Sequence, residues 1–263
     1  MSETTQRRVN VGALMAALLA ACVAFQLNAS MLSPALVTIE EELNTTSAAV
    51  GLTQTAFFTA AALFSLFLPR LGDIIGRKKV LAGMLVVLTI GSVVAALAPS
   101  IEVLFIARLI QGVSGPVVPL TLIMLRVEIR DAKLYGTLMG VITAVNGGIA
   151  GVDAIAGGYL AQNHGFASVF WAMAAVGAVA TALLLFLAPE SRAEKKEKMD
   201  WVGVVPLVIS VGTLLTAFNE AGKLADANWP LVIGLIVVAV VAFAVFWKVE
   251  NRTEEPLIAT RLL

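Results

Sequence analysis

The chain has 263 residues, of which 59% are hydrophobic and only 14% are charged, and its mean hydropathy is +0.91. A soluble domain carries about 25% charged residues, so this composition excludes a soluble fold and indicates a protein that lies within a bilayer. The net charge is zero, which argues against a nucleic-acid partner. One cysteine, Cys22, and one histidine, His164, exclude a disulfide framework and a Cys/His metal cluster, so we expect no metal.

Eight apolar stretches approach or exceed the length of about 20 residues that a membrane-spanning helix needs. We number them span 1 to span 8, and they cover residues 10–33, 50–69, 80–98, 102–125, 135–160, 168–188, 202–219 and 230–248. Short polar segments separate the spans, and none of the spans alternates as a strand would. The sequence therefore predicts an all-α membrane protein.

The basic residues predict the orientation of the spans. If the N-terminus is cytoplasmic, all but two of the 18 lysines and arginines lie at the cytoplasmic ends of the spans; the exceptions are Lys223 and Arg108. This distribution follows the positive-inside rule. We therefore expect a multi-pass protein of the cytoplasmic membrane with both termini in the cytoplasm.

Two charged residues lie well inside predicted spans, where a charge is costly and commonly functional. Arg108 lies about six residues inside span 4, roughly 10 Å deep, and Asp153 lies at about the same depth in span 5. Asn28 and Ser30 reach that level at the end of span 1. Gln111 follows Arg108 by one turn on the same helical face. The sequence thus predicts that polar groups from three helices meet in one layer.

We predict that Arg108 and Asp153 form an ion pair beside a water-filled cavity that binds the substrate. Arg108 keeps its charge, and separating the two groups would favour protonation of Asp153. A conformational change that makes and breaks the pair would then couple movement to proton flow. The alternative is a structural pair in which each charge only satisfies the other.

The segment between spans 2 and 3, residues 69–79, reads PRLGDIIGRKK. It resembles the signature loop of the major facilitator superfamily, G-x-L-A-D-R-x-G-R-R/K-x, although Pro69 replaces the first glycine and Ile74 the middle arginine. The resemblance implies a gating loop in which glycines bring two helix ends close together. The candidate gating residues are Leu71, Gly72, Asp73, Gly76, Arg77 and Lys78.

Spans 4 and 5 add to this resemblance. Residues 108–112 are similar to the R-x-x-Q-G of the family's fourth helix, and span 5 resembles a degraded form of its antiporter motif, G-x8-G-x3-G-P-x-x-G-G. Ile149 replaces the second glycine and Asp153-Ala154 replaces the Gly-Pro. The glycines that match are Gly140, Gly157 and Gly158, and we expect them to allow close helix packing.

The end of span 1, residues 28–33, is similar to the family's drug-export pattern D-x-T-x-x-N, but Asn28 stands in place of the aspartate. An asparagine cannot carry a proton. Asp153, at the same predicted depth, is therefore our candidate for a relocated proton-carrying acid.

The order of the spans is similar to that of the fourteen-helix drug:proton antiporters. Residues 1–190 would form a six-helix bundle of two inverted three-helix repeats, and residues 191–263 a basic loop, two additional spans and the start of a connection to a second half. The resemblance implies proton-coupled efflux of small lipophilic or cationic compounds, with the bilayer and protons as partners. Because such transporters bind substrate between two bundles, a second half or a homo-oligomer is also expected. No phosphate-binding loop is present, so we expect no cofactor.

Two other interpretations remain open at this stage. The chain could be a truncated or accessory membrane protein without transport activity of its own. Residues 112–115 also match the G-x-S-G of rhomboid-type intramembrane serine proteases, with Ser114 as the nucleophile. Such a serine needs a base, and His164 falls in a predicted turn outside the spans.

Overall fold

The computed structural model describes residues 10–191, 199–224 and 227–252, and all the regular elements in these ranges are helices. The α-helices are α1 (Val11–Ser30), α2 (Leu36–Glu42), α3 (Ser47–Ser65), α4 (Leu68–Ile75), α5 (Arg77–Ala96), α6 (Ile101–Gln111), α7 (Val117–Glu128), α8 (Ala132–His164), α9 (Phe166–Leu187), α10 (Trp201–Ala221) and α11 (Trp229–Glu250). Eight helical segments in the described ranges are long and apolar enough to cross a membrane. The predicted all-α membrane fold is confirmed.

Spans 1 and 4 are broken rather than continuous. In span 1 helix α1 ends at Ser30, a 3-10 turn covers Ser33–Ala35, and α2 then carries the chain on to Glu42. Pro34 explains the break, because proline has no N–H to continue the helical hydrogen bonds. In span 4 a similar turn, Gly112–Ser114, precedes Pro116 and separates α6 from α7.

The break in span 4 brings this span very close to α3. A Cβ atom on Gly112 would lie 2.4 Å from the Cβ of Ala60, and one on Gly115 would lie 2.2 Å from the carbonyl oxygen of Ala61. Any side chain at these two positions would push the helices apart. The glycines therefore set the distance between spans 2 and 4.

Buried apolar residues form two separate clusters along the length of the bundle. In span 1 the first cluster ends at Ala24 and the second begins at Met31; on α5 the first ends at Leu88 and the second begins at Ala95. The residues between these limits include buried polar ones. The bundle thus has a polar layer between two apolar clusters.

The two ends of the bundle differ in charge. We call the end with the turn between α4 and α5 the basic end, and the opposite one the distal end. At the basic end the Arg77 N–H donates to the Ser191 carbonyl at 2.8 Å, and at the distal end the Phe166 N–H donates to Glu42 Oε1 at 3.3 Å. Which end faces the cytoplasm stays a prediction, and Arg7, Arg8 and residues 192–198 lie outside the described ranges.

Helices α10 and α11 pack on each other, and α10 also contacts α3. Ser210 Oγ donates to the Ala239 carbonyl at 2.9 Å between the two helices. The rings of Phe67 and Trp201 lie 6.1 Å apart at the basic end. The two additional spans therefore form a pair that contacts span 2 through α10.

The glycines of α8 do not share one role. A Cβ atom on Gly157 would lie 2.2 Å from the carbonyl oxygen of Met31, and one on Gly158 would make an ordinary contact with Pro34 at 3.5 Å. Gly140, in contrast, has open space around its Cβ position among the described residues. The predicted close packing is found at Gly157, is ordinary at Gly158, and is absent at Gly140, because only the distal part of α8 contacts the broken part of span 1.

We expect Gly157→Ala to lower the free energy of unfolding by about 1–3 kcal/mol, the usual cost of overpacking. Gly140→Ala on the same helix is the matched control, and it should be neutral or slightly stabilising because alanine favours a helix. Thermal unfolding of the purified variants in one detergent measures both. Equal melting temperatures for the two variants would contradict the contact with Met31.

Candidate functional site

The polar layer is built from side chains of four helices. Its members are Asn28 on α1, Gln54 on α3, Ser92 on α5, and Arg108 and Gln111 on α6. Gln54 is partly buried and the other four are completely buried. Buried polar groups are costly unless they are hydrogen-bonded, so the contacts within the layer decide whether the bundle can hold it.

The break in span 1 explains why the layer lies where it does. The last four carbonyl groups of an α-helix have no partner within that helix, and Asn28 and Ala29 belong to the last turn of α1. Arg108 Nη2 donates to the Asn28 carbonyl at 3.1 Å, and Gln54 Nε2 donates to the Ala29 carbonyl at 2.9 Å. Arg108 Nη2 also donates to Gln54 Oε1 at 2.7 Å, which joins the two donors.

A second chain of hydrogen bonds extends from Arg108 to the side chain of Asn28. Arg108 Nη1 donates to Gln111 Oε1 at 2.8 Å, and Gln111 Nε2 donates to Ser92 Oγ at 2.9 Å. Ser92 Oγ lies 3.3 Å from Asn28 Oδ1. Three predicted site residues, Asn28, Arg108 and Gln111, are thus brought together by the structure.

The charge of Arg108 is met by neutral groups. Its guanidinium carbon lies 4.2 Å from the centre of the Phe57 ring, and its hydrogen-bond acceptors are two amide oxygens and one backbone carbonyl. Among the described residues no carboxylate lies within 4.0 Å of this guanidinium. Arg108 is therefore a buried cation held by dipoles and an aromatic face.

The predicted Arg108–Asp153 ion pair is wrong for this conformation. Asp153 is 2% exposed, and its Oδ2 makes a short hydrogen bond with Ser30 Oγ. Its Oδ1 has no partner among the described residues. Arg108 and Asp153 bind residues two positions apart at the end of α1, Asn28 and Ser30, but chain position does not decide which side of α1 each group faces.

Gln54, Ser92 and Phe57 belong to the site but are not among the residues predicted from the sequence. Each lies inside an apolar span, at the level that the break in span 1 reaches. The signal for Gln54 and Ser92 is that each is a polar side chain inside an apolar span near the depth predicted for Arg108. Phe57 carries no such signal, since an aromatic residue in an apolar span is ordinary.

The segment predicted as a gating loop contains an ion pair and a glycine with positive φ. Arg77 Nε donates to Asp73 Oδ1 at 2.7 Å, one helical turn away across the end of α4. Gly76 has φ +120°, and a Cβ atom there would lie 2.6 Å from Glu190 Oε1. A side chain at position 76 would therefore strain the backbone and displace the carboxylate.

The other residues of the loop attach it to spans 4 and 6. The Lys78 N–H donates to Glu190 Oε1 at 3.2 Å, and Lys78 Nζ donates to the Leu185 carbonyl at 2.8 Å. A Cβ atom on Gly72 would lie 3.2 Å from the Leu120 side chain, and Leu71 packs on the first apolar cluster. The six predicted loop residues thus form one tightly packed turn.

The protease interpretation finds no support in the geometry around Ser114. This residue is completely buried, and its Oγ donates to the Gln111 carbonyl at 2.7 Å within its own turn. The only histidine, His164, ends α8 at the distal end of the bundle. The described residues also contain no group of three His, Cys, Asp or Glu side chains that could hold a metal ion.

The family profile described as Major Facilitator Superfamily matches residues 17–249. The chain belongs to the Major Facilitator Superfamily. This is a family of transporters, so the chain is a multi-pass membrane protein of a transporter family and the protease interpretation is wrong.

The relatives of this chain include a nucleoside transporter and a multidrug resistance protein. The chain is 52% identical over 261 residues to a uridine/deoxyuridine transporter of Lactococcus lactis, a match that covers 97% of this chain and 54% of the relative. It is 30% identical to multidrug resistance protein 3 of Bacillus subtilis, over 72% of this chain and 37% of the relative. The chain thus spans about half the length of the nucleoside transporter and less of the other relative.

Solved structures agree with the fold. The human organic anion transporter MFSD10 superposes with a TM-score of 0.57 at 15% identity, covering 91% of this chain and 70% of that one. The POT family transporter PepTSo superposes with a TM-score of 0.54 at 13% identity, covering 89% of this chain and 54% of that one. At this level of identity the likeness concerns the fold alone.

We expect Gln54→Leu to lower the free energy of unfolding by about 1–3 kcal/mol, because it leaves the Ala29 carbonyl without a donor and removes one acceptor of Arg108. Gln162→Leu, on the exposed end of α8, is the matched control and should change little. Thermal unfolding in detergent measures the difference. Equal melting temperatures for the two variants would show that Gln54 does not stabilise the end of α1.

Proposed function

We propose that this chain supplies one helical bundle of a nucleoside transporter, with uridine and deoxyuridine as its first candidate substrates. The observation that carries the proposal is the 52% identity to a uridine/deoxyuridine transporter over nearly the whole chain. This similarity replaces the multidrug substrate that the sequence motifs implied.

The chemistry of the polar layer supports an uncharged polar substrate. Its described members offer three amides, one hydroxyl group and one guanidinium, which together can donate to and accept from the hydroxyl and ring amide groups of a nucleoside. A lipophilic cation would instead meet the charge of Arg108, which no carboxylate within 4.0 Å compensates among the described residues. Export of lipophilic cations is therefore the second candidate, favoured by the Bacillus subtilis relative.

The same proposal includes a proton as the coupling ion and a second bundle as the partner. The one carboxyl group buried near the middle of α8 supports proton coupling, since an intramembrane acid is expensive to keep and commonly belongs to a proton relay. A substrate site between two bundles needs an opposing wall. A separate second half or a second copy of this chain would provide it, and an accessory protein without transport activity is the alternative.

We expect the chain, co-expressed with the remaining half of the Lactococcus lactis relative, to restore tritiated uridine uptake in cells that lack nucleoside uptake. Unlabelled deoxyuridine should compete, because the polar groups that it shares with uridine are the ones that the layer can bind. Uptake is measured by filtration against an empty-vector control. Gln162→Leu should retain uptake, and Gln54→Leu should lose most of it.

The alternatives give different results in the same cells. Ethidium efflux without uridine uptake would overturn the nucleoside proposal in favour of drug export. Neither activity, with the protein present in the membrane and both halves detected, would favour an accessory role.

A further inference from the structure

A second polar group lies where α8 meets the end of α1, apart from the layer around Arg108; its carboxyl group is buried and its two other side chains are partly buried. It consists of Asp153 on α8 with Ser30 and Gln26 on α1. Ser30 Oγ lies within hydrogen-bond distance of Asp153 Oδ2, and Gln26 Nε2 donates to the same Ser30 Oγ at 3.0 Å. The Gln26 carbonyl lies 2.9 Å from Ser30 Oγ. We call these three residues the α1–α8 cluster.

No described cation balances a charge on Asp153. The elements packed against the cluster carry few titratable groups: α1 has Cys22, α9 has none, the turn 33–35 has none, and α2 has Glu40, Glu41 and Glu42. On α8 itself Tyr159 and His164 lie toward the distal end, and Lys133 and Tyr135 lie at the basic end, as do Arg126 and Glu128 of α7. Arg108 is held by its own acceptors on α1, α3 and α6.

We infer that Asp153 is a proton-binding site and that it carries its proton in this conformation, with Ser30 as its hydrogen-bond partner. An ionised carboxylate at this depth would have no counter-charge and no donor for Oδ1. A neutral carboxylic acid in the same place has a suitable acceptor for its one hydrogen. This inference rests on the proposed transport function only for its use in coupling.

The hydrogen atoms of the α1–α8 cluster can be assigned in both protonation states. With the proton bound, Asp153 Oδ2–H donates to Ser30 Oγ, and the Ser30 hydroxyl donates to the Gln26 carbonyl. On release the O–H bond of Asp153 breaks, the proton passes to water, and the Ser30 hydroxyl turns to donate to Oδ2. The carboxylate then needs water at Oδ1, so release requires α8 to move away from α1.

The packing of α8 suits such a movement. Only four residues of this 33-residue helix are buried, and they are Ile142, Asp153, Gly157 and Ala161. The close contact of Gly157 with Met31 lies one turn beyond Asp153, next to the break in span 1. Separating α8 from span 1 near this point would expose Asp153 and would also break the contact of Gly157 with Met31.

This arrangement replaces the direct ion pair as the means of coupling. The Asn28 carbonyl accepts a hydrogen bond from Arg108, and Ser30, two residues later, is hydrogen-bonded to Asp153. A proton lost from Asp153 would thus change the end of the same helix that the polar layer holds. Arg108 and Asp153 act on one element without touching each other.

Infrared spectroscopy of the purified chain in lipid at neutral pH tests the inference without any substrate. We expect a C=O stretching band of a protonated carboxyl group that disappears in Asp153→Asn. The band should move to higher frequency in Ser30→Ala, because that variant removes the hydrogen-bond acceptor. Asp131→Asn is the matched control: this exposed aspartate caps α8, and the band should be unchanged.

A spectrum of Asp153→Asn that equals the native one would overturn the inference, as would the absence of any effect of Ser30→Ala. If Asp153→Asn fails to fold, as shown by its thermal unfolding, the frequency shift in Ser30→Ala decides the question. The result stands whether or not uridine is transported, so it is distinguishable from a failure of the proposed function.

Coupling is tested in proteoliposomes that hold the two co-expressed halves. Asp153→Asn should abolish uridine accumulation driven by an imposed pH gradient while retaining uridine counterflow, because an amide mimics the protonated state but cannot release a proton. Gradient-driven accumulation that survives in this variant would overturn the coupling role.

Discussion

The structure depends on how the backbone is satisfied where span 1 breaks. In a bilayer no water is available to bond the free carbonyl groups of a helix end. Here Arg108 and Gln54 donate to the carbonyls of Asn28 and Ala29, and Ser30 binds Asp153 on α8. Three consecutive residues thus attach the end of α1 to three different helices. A change at any one of these contacts therefore alters the support of the same helix end.

The positions without side chains set the distances between these helices. Gly112 and Gly115 let span 4 approach α3 closely enough for Arg108 to reach both Gln54 and the end of α1, and Gly157 lets α8 approach the backbone of Met31. At the basic end Gly76 leaves room for Glu190 beside the turn that the Asp73–Arg77 pair closes. Polar contacts and glycine contacts are therefore parts of one arrangement: the glycines make the approach possible, and the polar groups make it favourable.

Membership of the Major Facilitator Superfamily draws attention to the surroundings of two charged residues, Arg108 and Asp153. The arginine that is characteristic of the fourth helix here meets amides, a backbone carbonyl and the Phe57 ring rather than an acid. The acid, Asp153, lies instead on α8. It contacts Ser30, which follows the arginine's backbone contact, Asn28, by two residues on α1. Under the proposed function, the polar layer would recognise the substrate and Asp153 would bind the proton, and the end of α1 would connect the two sites.

The sequence by itself determined the membrane class, the eight spans and the gathering of basic residues at one end of the bundle, because hydropathy and chain position set these directly. The resemblance to the family's signature loop also indicated a turn in residues 69–79, and the structure has α4 and α5 meeting there at Gly76. The tertiary structure decided which residues meet. Depth along a span says nothing about the face on which a side chain points, so Arg108 bonds Gln54 and Gln111 while Asp153 bonds Ser30. Likewise, a glycine in a sequence does not reveal whether another helix passes beside it, and only the packing of α8 distinguishes Gly157 from Gly140.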